Sequence, residues 1–117
     1  RAKDITMLDV RNYIKNNIKP KKTIAVKDVV RIISDFYNVK EESIYEKTRH
    51  KEVIKPRQII MYILREDFNI SYPSIGQKLG GRDHTTVIHS CEKIKNDIRG
   101  DQSLLEEIGQ LRALLTV

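Results

Sequence analysis

Asp83, His84, Thr85 and Thr86 bring a carboxylate, an imidazole and two hydroxyls into four consecutive positions, directly after Gly80, Gly81 and Arg82. Proton transfer is one chemistry open to such a cluster. Asp83 beside His84 makes no catalytic triad, however, because adjacent helical side chains diverge and no nucleophile accompanies them. Zinc binding by His84, His89 and Cys91 fails on geometry. Seven residues of helix separate the Cα atoms of His84 and Cys91 by about 10 Å, and His89 points about 140° away from His84. A phosphate-binding P-loop fails as well, since Gly76 to Gly81 lacks the terminal Gly-Lys-Ser/Thr. No enzymatic reading survives. What remains is hydrogen bonding to a ligand edge, and the first turn of a recognition helix offers donors, acceptors and methyl groups to base edges in this way. The same residues also suit a plain surface helix capped by Asp83.

The cluster needs a helix behind it and a turn before it, and both are written in the neighbouring residues. Asp83 suits an N-cap, and Val87, Cys91, Ile94 and Ile98 recur at helical spacing on one apolar face. Upstream, Ser71 can cap a short helix to Leu79 with Pro73 in its first turn. Gly76 lets a neighbour approach closely, and Gly80-Gly81 turn the chain into the next helix. Before that unit, Pro56 to Phe68 reads as a central helix, carrying Ile59, Ile60, Ile63, Leu64 and Phe68. Arg57 and Gln58 would sit in its first turn, where free N–H groups favour a phosphate. The segment Lys47 to Arg57 holds Lys47, Arg49, Lys51, Lys55 and Arg57 against Glu52 alone. Such a run is often only a solvated loop. Placed before a helix-turn-helix it suits phosphate contact, and an arginine in it can enter a narrow A·T-rich minor groove.

The flanks complete a helical pattern. Ile5 to Ile18 reads as a first helix, with Met7, Val10, Ile14 and Ile18 on one stripe, ended by Lys19-Pro20. Thr23 is the expected cap of a second helix carrying Val26, Val29, Val30, Ile33 and Phe36, with Asn38 as its stop. A short helix fits Glu41 to Glu46. The recognition helix ends near Gly100, and Leu104, Leu105, Ile108, Leu111 and Leu115 form a last helix that closes the bundle. No sustained period-two alternation occurs. The expected fold is all-α, a compact helical bundle containing a helix-turn-helix, with a basic loop before the central helix.

At 117 residues the chain is long enough to bury a single core. Its 22 Lys and Arg against 16 acids give a formal charge of +6, which favours a polyanion, either nucleic acid or an anionic membrane surface. One cysteine on an apolar face reads as a buried, inert thiol. The longest apolar run, Ile59 to Leu64, is far too short to span a bilayer, and no signal-like segment is found, so a cytoplasmic location is expected.

The string GGRDHTTVIHS, with KPRQIIMYILRE upstream, resembles the C-terminal DNA-binding domain of the DnaA family of bacterial replication initiators. The resemblance covers roughly Thr23 to Leu115, which sets residues 23–117 as the helix-turn-helix domain, and residues 1–22 are similar to the linker helix and basic connector that lead from the family's ATPase. It implies a bacterial, nucleoid-associated protein that binds double-stranded DNA at A·T-rich boxes of the replication origin. It implies no cofactor in this domain, since ATP enters only through an ATPase whose motifs are absent here. A monomeric domain is implied, with weak contact to acidic phospholipids through the N-terminal region. Carried over position by position, Asp83, His84 and Thr85 would face base edges in the major groove, Pro73 would touch a thymine methyl, and Arg49 would enter the minor groove. Arg57, Gln58, Arg65, Arg82, Thr86 and His89 would hold phosphates, with Lys51 and Lys93 as weaker candidates. Ile88 is either a base contact or a half-exposed packing residue. The basic loop departs from many relatives in containing an acid, Glu52. Two other classes stand beside this reading. A helix-turn-helix transcription regulator would prefer a palindromic site and dimerise, and a helical protein-interaction module would bind DNA weakly and without sequence preference.

Overall fold

The computed structural model describes residues 25–115. Among them lie six helices and no strand, namely α1 (Val26–Tyr37), α2 (Glu41–Tyr45), α3 (Lys51–Glu66), α4 (Tyr72–Lys78), α5 (His84–Gly100) and α6 (Gln102–Leu115). The all-α bundle expected from the periodicity is the fold found. The helix expected over Ile5 to Ile18 lies outside the described residues, and so does Thr23. The N-cap of α1 is Ala25 rather than Thr23, and its carbonyl accepts from the N–H groups of Asp28 and Val29. Asn38 stops α1 as expected. It adopts a left-handed conformation (φ 58°), and its N–H donates to the carbonyls of Ser34 and Asp35.

The core is built on α3, which packs against α1, α2, α4 and α5. Ile59, Ile60 and Ile63 are fully buried along it, meeting Val29, Val30 and Ile33 of α1, Ile44 of α2, Ile75 of α4 and Val87 of α5 within one cluster. Each such side chain removed from water stabilises the fold by about 1.5–3 kcal/mol, so branched aliphatics suffice where the chain has no Trp. No helix among the described residues is long and apolar enough to cross a membrane.

The start of α3 corrects the expectation. The helix begins at Lys51, five residues before Pro56, and Pro56 lies inside it. The carbonyl of His50 accepts from Val53 and Ile54, opening the helix there, and Val53 is buried in the core. The buried stripe Val53, Pro56, Arg57, Ile60 keeps helical spacing, and burying Val53 draws the first turn upstream. Proline at the sixth position forfeits one backbone bond, which the added buried surface upstream offsets.

A sheath of polar contacts ties α6 over this core. The Tyr37 hydroxyl donates to Glu107 Oε1 (2.8 Å), Lys55 Nζ lies 3.4 Å from the same oxygen, and Arg112 Nε pairs with Asp67 Oδ2 at 2.9 Å. Leu104, Ile108, Leu111 and Leu115 are buried as expected, but Leu105 is 42% exposed. It stands one residue, or about 100°, off the stripe formed by its neighbours.

Candidate nucleic-acid interface

Helices α4 and α5 form the helix-turn-helix, and each joint in it has a local cause. Ser71 Oγ accepts from the N–H of Ser74 (3.3 Å), and Pro73 occupies the first turn of α4, exposed. Gly76 leaves room for the returning chain, whose Arg82 N–H donates to the Gly76 carbonyl at 2.8 Å. Gly80 and Gly81 take φ of 94° and 75°, a reversal that side chains resist. The turn delivers Asp83 as the N-cap of α5, its Oδ2 accepting from the N–H of Thr85 (3.3 Å). That leaves Oδ1 outward, 3.8 Å from His84 Nδ1. Asp83, His84, Thr85, Thr86 and His89 are exposed and Ile88 is half-buried, while Val87, Ser90, Cys91 and Ile94 turn inward. Burial, followed by the charge of Glu66, pushes the Cys91 thiol up to about 11.

The basic loop, residues 46–50, runs between α2 and α3, with Glu46, Lys47, Arg49 and His50 exposed. Arg57 has a different task from the one expected of it. It lies in the second turn of α3, not the first, and is only 7% exposed. Its Nε donates to the carbonyl of Ile44 (3.0 Å), Nη1 to that of Thr48 (3.1 Å), and Nη2 to those of Ser43 and Glu46 (2.9 Å each). Four of its five N–H donors are therefore committed to backbone, and a freestanding phosphate anchor does not fit that geometry. Arg82, half-buried, donates to the carbonyls of Leu79 and Glu46. Burial, reinforced by the Arg82 charge, holds the Arg57 guanidinium down at about 10, and burial alone lowers Arg82. Both remain cations at neutral pH.

Loop and helix-turn-helix open onto one cleft of about 480 Å³. Arg49, Arg57, Gln58, Arg82, Asp83 and Thr86 all line it, so six of the residues singled out in the sequence are brought together. Lys51 and Lys93 line a second cleft of about 300 Å³ nearby, where Lys93 pairs with Asp97 at 3.0 Å. Pro73, His84, Thr85, Ile88 and His89 line neither of these two clefts. Arg65 stands apart, its guanidinium 4.6 Å from the centre of the Tyr72 ring and donating to the Ile70 carbonyl (3.4 Å). Lys47, of the same basic run as Arg49, lines the larger cleft too, while Thr48, Ile54, Met61 and Ser90 are lining residues that the sequence did not single out for this site. The Glu46 carbonyl, on which Arg57 and Arg82 converge, carries no side-chain signal at all.

Comparison with known proteins agrees with this geometry. A family model described as the bacterial DnaA protein helix-turn-helix matches residues 26–94, a stretch running from the start of α1 through the basic loop and past the middle of α5. Among solved structures, a crystal structure of a DNA replication initiation factor superposes with a TM-score of 0.70 at 25% identity, covering 88% of this chain. The chain spans about 30% of the length of that structure. Exposed capping residues on α5, a basic loop beside them and a match over more than half the chain lead to one conclusion: this chain belongs to the bacterial DnaA helix-turn-helix family, a DNA-binding domain.

Proposed function

We propose that this domain recognises short A·T-rich boxes of double-stranded DNA at a replication origin, with the N-terminal turn of α5 in the major groove and Arg49 in the adjacent minor groove. The observation that carries the reading is the shared cleft: Arg49 of the loop and Asp83 and Thr86 of α5 line it together. One rigid body can then address two neighbouring grooves. Asp83 has an oxygen left to accept from a cytosine amino group, and Thr85 has a methyl for a thymine methyl. Lys51, Gln58, Thr86, His89 and Lys93 are the phosphate set, with Arg57 and Arg82 serving behind it and Arg65 at its margin. Residues 1–22 are the linker to an ATPase domain, and ATP acts only there.

Two measurements test this. Titration against a randomised duplex library should enrich one A·T-rich, non-palindromic box. Enrichment of a palindrome bound by a dimer would make the chain a transcription regulator, and weak binding without preference would make it a protein-interaction module. Second, Arg49→Ala should weaken the cognate box more than unrelated DNA and lose discrimination against G·C at the box's minor-groove end. Arg49→Lys should rescue little, because a compact, strongly hydrated ammonium replaces a planar fork. Full retention of the A·T preference by Arg49→Ala would reduce Arg49 to a phosphate anchor.

A further inference from the structure

The basic loop is held from outside through its main chain, its own side chains adding the Thr48 Oγ1 that accepts from the N–H of His50 (3.3 Å). Two guanidiniums from different elements converge on the carbonyl of Glu46, that of Arg57 at 2.9 Å from the central helix and that of Arg82 from the helix-turn-helix turn. Arg57 continues to the Thr48 carbonyl, one residue before Arg49 (3.1 Å), and to Ser43 and Ile44 at the end of α2. Arg82 also donates to Leu79, the residue that ends α4, and is followed directly by Asp83. The path from Arg49 to Asp83 therefore runs through Thr48, Arg57, Glu46 and Arg82, with a hydrogen bond at each step that the covalent chain does not make.

We propose that Arg57 and Arg82 are positioning residues for sequence recognition, fixing the offset between Arg49 of the basic loop and Asp83 at the head of α5 by sharing the Glu46 carbonyl. The inference rests on the two-groove reading above and adds what makes that reading specific. An exposed arginine on a free loop would sample many positions and lose conformational entropy on entering a groove. A loop clamped at Glu46 and Thr48 presents Arg49 already in register with α5. Lysine cannot replace either clamp, because one ammonium with three donors on a flexible stem cannot span the carbonyls that a planar fork spans.

The test keeps the charge and removes the fork. Wild type, Arg49→Ala, Arg57→Lys and the double variant are titrated at one salt concentration against an A·T-rich box and its counterpart with G·C at the minor-groove end. Thermal melting reports folding. Arg57→Lys should lose about tenfold or more of the preference between the two duplexes, with its affinity for unrelated DNA held within about threefold because the charge is kept. The double variant should be no less selective than Arg49→Ala alone, since both act through one contact. Full preference in Arg57→Lys, or losses that multiply in the double variant, would overturn the proposal. Should Arg49→Ala itself keep the preference, it is the two-groove reading that fails, whatever Arg57→Lys does. If Arg57→Lys does not fold, Arg82→Lys is measured in its place on the same duplexes. Loss of preference there supports the proposal, and full retention overturns it.

Discussion

A Cβ placed on Gly76 would run into the carbonyl oxygen of Arg82, the residue whose own N–H donates to the Gly76 carbonyl. The close approach is backbone against backbone, so no side chain can rotate to relieve it. Gly76→Ala should therefore destabilise the domain by about 1–3 kcal/mol or more, as overpacking does elsewhere. Urea unfolding followed by circular dichroism measures it, and an unchanged midpoint would show that the turn can shift freely.

Thr85 is exposed at the second position of α5 and its side chain forms no part of the core. Thr85→Ala should leave stability within about 0.5 kcal/mol while costing about 1–3 kcal/mol on the cognate box and much less on unrelated DNA. Competition titration with both duplexes checks this. Equal losses on the two would move Thr85 from reading bases to positioning the helix.

Salt dependence separates exposed cations from the buried one. If about six phosphates are neutralised, log affinity against log salt should fall with a slope near −5. Lys51→Ala, at an exposed position, should flatten it by about one unit. Arg57→Ala should instead act first on the fold, by about 3 kcal/mol or more, because it strips partners from four carbonyls at once. Its melting temperature should drop well before its salt slope changes.

Cys91 is 4% exposed, and its thiol is raised from the ordinary 9.0 to about 11 by burial and then by Glu66. Native protein at pH 8 should resist alkylation by iodoacetamide, and urea should release the reaction. Because the folded pKa lies above the unfolded one, the neutral thiol stabilises the fold fully below pH 9, and that contribution is lost as pH rises from 9 to 11. The stability of Cys91→Ala should accordingly fall less steeply across that window than that of the wild type.

Features whose cause is local are legible in the amino-acid sequence. The Asp83 and Ser71 caps, the Asn38 stop and the Gly80-Gly81 turn each depend on one side chain, or its lack, acting on its nearest backbone. The start of α3 is not legible, because two of the four residues on its buried stripe are Pro56 and Arg57, which apolar periodicity does not count. Leu105 misleads in the opposite sense: an apolar side chain one step off the stripe is identical in composition to one on it. At the interface the residue types are readable and their division of labour is not. Arg49 and Arg57 share a charge and a basic run, and only the carbonyls of Ser43, Ile44, Glu46 and Thr48 decide that one is exposed and the other buried.

The clamp on those carbonyls has a consequence for how this domain can change. Every residue has a main-chain oxygen, so Arg57 and Arg82 hold the loop's course without regard to the side chains of Glu46, Lys47, Arg49 and His50, and Thr48 adds a side-chain bond of its own, to the His50 N–H. Glu46, Lys47, Arg49 and His50 are exposed and open to exchange while the loop keeps its path. A domain built this way can diversify its target sequence by swapping a few loop residues on an unaltered scaffold, and the same separation makes residues 46–50 a natural cassette for grafting a new binding preference.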